Sequence, residues 1–155
     1  GNNTTGKDYC QIEETAKIEM DCVYCKIINR ELNSEIIFED EYSLAVLDIH
    51  PLSLGHTIVL PKNHSNNILE LLDDQVGPIF LAVKKVVDKL NKTLNPDGFT
   101  IGINQGEAGG QAISHLHIHI IPRWHNDGGG SIHSVVNNPP KESLQEIAAK
   151  IRDSH

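Results

Sequence analysis

His115, His117 and His119 alternate with Leu116, Ile118 and Ile120 in one run, His115-Leu116-His117-Ile118-His119-Ile120-Ile121. Neutral imidazole does two kinds of chemistry near pH 7: it ligates transition metals, and it acts as nucleophile or as general acid and base. In an extended strand alternate side chains share a face. The spacing therefore predicts three imidazoles in a row, roughly 6–7 Å apart, with the aliphatic residues packed on the opposite face. A helix would scatter them, because residues i and i+2 of a helix do not face each other. The residue types alone leave metal binding and nucleophilic catalysis both open.

Two neighbouring motifs bear on that choice. The glycine-rich stretch Asn104-Gln105-Gly106-Glu107-Ala108-Gly109-Gly110-Gln111-Ala112-Ile113-Ser114 runs directly into the histidines. Glycines let main-chain N–H groups approach an anion closely, and Asn104, Gln111 and Ser114 add neutral donors. A phosphate cradle ending beside imidazoles suggests phosphoryl or nucleotidyl transfer. Cys22-Val23-Tyr24-Cys25 is a CxxC pair. Such a pair is half of a zinc site, a redox pair or a coincidence. The βαβ context of a redox motif is missing, and histidines are available as further zinc ligands.

These side chains need a frame. Short strands are expected at 36–38, 44–48, 56–60 and 99–104, besides the histidine run, with an acidic turn Glu39-Asp40-Glu41 making a hairpin of the first two. Asp73 or Asp74 is expected to cap a helix reaching about Leu94. Its apolar positions Val76, Ile79, Phe80, Val83, Val86, Val87 and Leu90 follow helical spacing. A terminal helix is expected over 143–152, after the flexible Gly128-Gly129-Gly130. Runs of strands with one long helix inserted indicate an α+β fold with a mostly antiparallel sheet.

The chain has 155 residues, enough for one domain with a substantial core. Its 13 basic and 21 acidic residues give a formal charge of −8. That lacks the basic footprint needed for nucleic acid or anionic membranes, so neither is an expected partner. No apolar run approaches the ~18 residues of a membrane span, and residues 1–19 carry no signal-peptide pattern. Three cysteines are too few and too uneven for a disulfide framework, which points to a reducing cytoplasm. Residues 1–20 read as a flexible native extension or an added leader, residues 21–125 as the domain, and residues 126–155 as a glycine-rich loop followed by the terminal helix.

The histidine run resembles the signature of the histidine triad (HIT) superfamily of nucleotide hydrolases and transferases, without a departure. The resemblance covers roughly Cys22 to Trp124. It includes Cys25-Lys26-Ile27-Ile28, Leu47-Asp48-Ile49, Gly55-His56-Thr57-Ile58-Val59-Leu60-Pro61-Lys62, Asn63-His64 and Gly109-Gly110-Gln111. The chain looks most like the small single-domain bacterial and archaeal members. The resemblance implies a five-stranded HIT-like sheet with one long and one C-terminal helix, in a homodimer joined through the long helix and a strand. It implies that His117 attacks the α-phosphorus of a nucleoside phosphoramidate, adenylate or dinucleoside polyphosphate to form a nucleotidyl-histidine. His119 would assist the leaving group and His56 would complete the phosphate environment. Asn104, Gly110 and Gln111 would hold phosphate, and Asp48 the ribose. Val23, Tyr24, Ile27, Leu32, Val46 and Ile49 would form the slot for a purine base. In zinc-binding relatives the equivalents of Cys22, Cys25, His64 and His115 close a structural Zn2+ site. No organic cofactor is implied. The alternative is a purine-nucleotide-binding regulatory protein with little turnover. Ala112 departs from the pattern, because many relatives carry a hydroxyl residue there.

Overall fold

Residues 43–47 and 57–61 read Ser-Leu-Ala-Val-Leu and Thr-Ile-Val-Leu-Pro, too apolar for a strand with one wet face. In the computed structural model, which describes residues 21–155, they are the buried centre of the sheet. The expected N-terminal extension lies outside the described residues. Five strands, β1 (Ile36–Glu39), β2 (Ser43–Leu47), β3 (Thr57–Pro61), β4 (Gly98–Gly102) and β5 (Ile118–Arg123), form one antiparallel sheet in the order β1-β2-β3-β5-β4. Helix α1 (Val23–Ile28) precedes them, α2 (Asp73–Leu94) links β3 to β4, and α3 (Leu144–Asp153) closes the chain.

Strand alternation divides the core. Ala45, Val59, Leu116, Ile118 and Ile120 face α2 and meet its buried stripe of Ile79, Ala82, Val83, Val86 and Leu90. Leu44, Val46, Ile58 and Leu60 face the other way and are covered by Tyr24, Ile27 and Ile28 from α1. Each fully buried aliphatic side chain contributes about 1.5–3 kcal/mol relative to exposure. The sheet is therefore fastened on both faces, and the histidines emerge on the α1 side.

The structure corrects several expectations. Regular pairing in β5 starts at Ile118 rather than at His115. Before it, the main chain turns away from the sheet: Leu116 N–H donates to Ser65 O at 2.6 Å and His115 N–H to Ile113 O. Alternation fixed the face of each side chain but not its ladder partner. The short α1 was not expected. Six residues show little periodicity, and this helix is capped by Cys22, whose sulfur accepts from Cys25 N–H. Asp73 and Asp74 are the first two helical residues of α2 and not its cap, which is Leu72 without a side-chain bond. Their charge still complements the positive helix end. Val76 and Phe80 fall outside the buried stripe and are exposed. Pro78 sits at the sixth helical position, one turn deeper than the site best suited to its missing N–H. The terminal helix occurs where expected, with Ser143 Oγ accepting from Glu146 N–H.

Candidate active site

Gly55 precedes β3 with φ of +81°, and a Cβ there would lie 2.4 Å from Leu94 Cδ1. Only glycine fits this turn. It delivers His56 two residues before Ile58, hence onto the same face as Ile58 and as its cross-strand partner His119. His56 Nε2 and His119 Nδ1 are 3.0 Å apart, and Asp48 Oδ2 lies 3.5 Å from His56 Nε2. The rings of His117 and His119 are 5.0 Å apart, and Tyr24 stands edge-on to His117 at 5.1 Å.

Main-chain partners determine where each imidazole carries its proton. Leu52 N–H donates to His56 Nδ1 at 3.1 Å, so the neutral ring of His56 is protonated at Nε2. That Nε2–H donates to His119 Nδ1. The proton of His119 is therefore on Nε2, directed away from His56. His117 is the reverse: its Nδ1–H donates to His115 O at 2.7 Å, leaving Nε2 with a lone pair. Burial, reinforced by the neighbouring His117 and His56, pushes the His119 pKa down to about 4. Burial also lowers that of His56, against the opposing pull of Asp48. Both rings are thus neutral at pH 7. The site presents one bare nitrogen and one N–H on adjacent rings.

Asp48, His56 and His119 also place three metal-competent atoms within 4.8 Å of one another. The hydrogen bonds disfavour a metal there. A metal on His56 Nε2 would move the ring proton to Nδ1, where it would oppose Leu52 N–H.

Cys22, Cys25, His64 and His115 form a second such group. His115 Nε2–H donates to Pro61 O at 2.9 Å, and His64 Nε2–H to Asn66 Oδ1 at 2.9 Å. Both Nδ1 lone pairs therefore point inward, 3.2 Å apart. Cys22 Sγ lies 3.4 Å and Cys25 Sγ 3.6 Å from His115 Nδ1, and Cys25 Sγ lies 3.2 Å from His64 Nδ1. Burial pushes the His115 pKa down to about 4, so that ring is neutral at neutral pH. Tetrahedral Zn2+ would set N···N at about 3.4 Å and S···N at about 3.6 Å. The donor set fits that ion, and both histidines have their outer nitrogens held by oxygen acceptors.

The glycine-rich loop is tied up more than its composition suggests. The N–H groups of Gly109, Gly110 and Gln111 bond to Gly106 O, Glu107 O and Gly106 O. The Gln111 side chain accepts from Gly106 N–H and donates to Asn66 O and Ile113 O. Gln111 thus clamps the loop to the His64 region, and the phosphate donors expected at Gly110 and Gln111 are engaged within the protein. Among the described residues, Asn104's side chain and the N–H groups of Ala112, Ile113 and Ser114 have no partner. Composition did not reveal these three N–H groups, because only the loop's own bonding pattern leaves them over.

Val46 is buried beneath Tyr24 and Ile27, while Val23 and Leu32 are partly exposed and Ile49 is 81% exposed. The expected base slot thus has a floor and one wall, with Ile49 standing in solvent. Burial and then Asp48 push the Tyr24 hydroxyl up to about 12, so it stays neutral. Arg123 is engaged by Asp127, Thr100 and Gly130. His50 N–H donates to Asp48 Oδ1 at 2.9 Å.

The HIT domain model matches residues 29–126. The chain belongs to the HIT family. This HIT protein is 46% identical over 107 residues to an uncharacterized HIT-like protein of Methanocaldococcus jannaschii, covering 69% of this chain and 82% of the relative. It is 33% identical over 137 residues to the adenosine 5′-monophosphoramidase of Schizosaccharomyces pombe, covering 86% of this chain and all of the relative (100%). A Zn-bound histidine triad family protein from Mycobacterium smegmatis superimposes with a TM-score of 0.67 at 30% identity, over 80% of this chain and 86% of the other. Among the described residues, no helix is long and apolar enough to cross a membrane.

Proposed function

We propose that this HIT protein cleaves the bond between the α-phosphorus of a purine nucleotide and its leaving group. The substrate is a nucleoside phosphoramidate, an adenylate or a dinucleoside polyphosphate, and the route passes through a nucleotidyl-histidine. One observation carries the reading: main-chain bonds leave a lone pair on His117 Nε2 and an N–H on His119 Nε2, on rings 5.0 Å apart. His117 Nε2 attacks phosphorus, and the bond from phosphorus to the leaving nitrogen or oxygen breaks. His119 Nε2–H donates a hydrogen bond to the leaving atom, which takes its proton from solvent as it departs. Water then attacks the phosphorus, gives up a proton to solvent and releases the nucleotide from His117.

Asn104 and the N–H groups of Ala112, Ile113 and Ser114 would hold phosphate oxygens. Asp48 would accept from the ribose hydroxyls. Val23, Tyr24, Ile27, Leu32 and Ile49 would line the base, over Val46. Zn2+ on Cys22, Cys25, His64 and His115 would be structural, tying α1 and the His64 loop to the triad. The hydrolase relative supports the reaction class, and the Zn-bound relative supports the metal.

A second copy is proposed to pair along the β4 edge, where Ile101 and, on α2, Val76 and Phe80 are exposed. The reaction is tested by mass spectrometry of protein quenched during turnover of an adenosine phosphoramidate. A nucleotide adduct on His117, absent in His117→Ala together with turnover, is expected. Unimpaired turnover by His117→Ala would refute the nucleophile, and nucleotide binding without turnover or adduct would favour the regulatory alternative.

A further inference from the structure

Asn66 lies between the candidate metal group and the glycine-rich loop and is bonded to both. Its side-chain Oδ1 accepts from His64 Nε2–H at 2.9 Å, and its main-chain O accepts from Gln111 Nε2–H at 2.7 Å. Glu70 decides how the Asn66 amide is turned. Glu70 Oε2 accepts from Asn66 N–H at 2.8 Å, and Oε1 accepts from Asn66 Nδ2–H at 3.3 Å. With Nδ2 committed to a carboxylate, Oδ1 is left for His64. That acceptor keeps the His64 proton on Nε2 and the Nδ1 lone pair toward Cys25 and His115.

The same short segment is stitched along the loop. Ile68 N–H donates to Gln105 Oε1 at 3.2 Å, Gln111 Nε2–H to Asn66 O, and Leu116 N–H to Ser65 O at 2.6 Å. The last two bonds bracket the N–H groups of Ala112, Ile113 and Ser114, the ones left over for a ligand. His115 falls inside the same bracket, and its donor atom converges with that of His64. His64 and His115 thus stand on opposite sides of one seam, and a metal held by both would be a further tie across it. A seam already tied has less to order when phosphate arrives, so each ligand lowers the ordering cost of the other.

We infer that Asn66 is a positioning residue through which a metal on Cys22, Cys25, His64 and His115 and a nucleotide phosphate on Ala112, Ile113 and Ser114 tighten each other's binding. The inference rests on the phosphate placement proposed above and not on His117 as the nucleophile. Such coupling is reciprocal: nucleotide holds the metal by the same factor by which the metal holds nucleotide.

Chelator titration of the zinc-loaded full chain, with and without saturating AMP, tests it, and calorimetry measures AMP binding alongside. In the parent, AMP is expected to raise the chelator concentration for half-release of Zn2+ by about tenfold or more. Adenosine, which lacks the phosphate, is expected to leave that midpoint unchanged at matched occupancy. In Asn66→Ala the effect of AMP is expected to shrink to less than about threefold. Glu70→Ala changes an exposed residue, frees the Asn66 amide to turn and is expected to shift the effect the same way. It decides the matter if Asn66→Ala no longer retains Zn2+. A merely structural Asn66 would lower the midpoint with and without AMP alike and keep their ratio, and an unchanged ratio in the deciding variant would overturn the inference. Equal protection by AMP and adenosine would also overturn it, since that marks stabilisation of the fold as a whole. AMP binding to the parent with no effect on release would overturn the inference and leave the nucleotide reading intact, whereas failure of AMP to bind would overturn both.

Discussion

Replacing His56 by alanine tests the proton arrangement at the active site. In the intact protein, Leu52 N–H fixes His56 as an Nε2–H donor, and that donor holds His119 Nδ1 at 3.0 Å. His56→Ala removes the donor and leaves His119 free to adopt the other tautomer. As the leaving atom becomes anionic, the bond that His119 Nε2–H donates to it becomes one to a charged acceptor, and it exists only in the tautomer that His56 holds. Such bonds contribute about 1.5–3 kcal/mol. The variant should therefore lose about 10- to 150-fold in kcat. KM should change little, because the lost bond strengthens only as charge develops. His56→Gln keeps an amide N–H of similar reach and should recover part of the loss. Steady-state kinetics with an adenosine phosphoramidate read kcat and KM, and calorimetry with AMP checks that binding survives. An unchanged kcat, or a loss confined to KM with kcat intact, would refute the reasoning and leave His56 as a phosphate contact only.

Three further outcomes are expected. Freshly purified protein should contain about one Zn2+ per chain by elemental analysis. Cys25→Ser or prolonged chelation should lower the melting temperature, because metal binding couples to folding; protein without zinc and unaffected by chelation would remove the assignment. His56 and His119 titrate below their ordinary value of 6.5, His119 near 4. Below 6.5 the unfolded chain binds protons that the folded chain refuses, so stability is complete above 6.5 and is lost as pH falls toward 4. Urea midpoints between about pH 7.5 and 4.5 should show this slope, and it should flatten when both histidines are replaced by asparagine. Phe80→Glu combined with Ile101→Lys should leave only single chains in sedimentation if α2 and β4 form the contact between copies; persistence of the dimer would place the contact elsewhere.

Much of the site is legible in the sequence. The i, i+2 spacing of His115, His117 and His119 put them on one face, because strand geometry has a period of two whatever the surroundings. The apolar partners Leu116, Ile118 and Ile120 likewise had to face a core. The resemblance to HIT proteins grouped Cys22, Cys25, His64 and His115, whose donor atoms do converge. The five strands and the long helix followed from local patterning, although a helix as short as α1 has too few residues to show a period. Val76 and Phe80 fitted the helical spacing equally well, but the width of the surface offered by the sheet left them outside.

The sequence by itself determined which faces, which elements and which residue types would meet. Tertiary structure decided what each polar atom does. An imidazole is bivalent, and its tautomer is set by whichever main-chain group happens to lie beside it. Here those groups are Leu52 N–H, His115 O and Pro61 O, none of which carries a sequence signal. For the same reason the glycine-rich loop looked like a phosphate cradle through Gly110 and Gln111. Only the folded loop shows those donors bonded internally and the N–H groups of Ala112, Ile113 and Ser114 left for a ligand. Hydrogen bonding is a property of positions in space, and the side-chain pattern along a chain fixes only part of it.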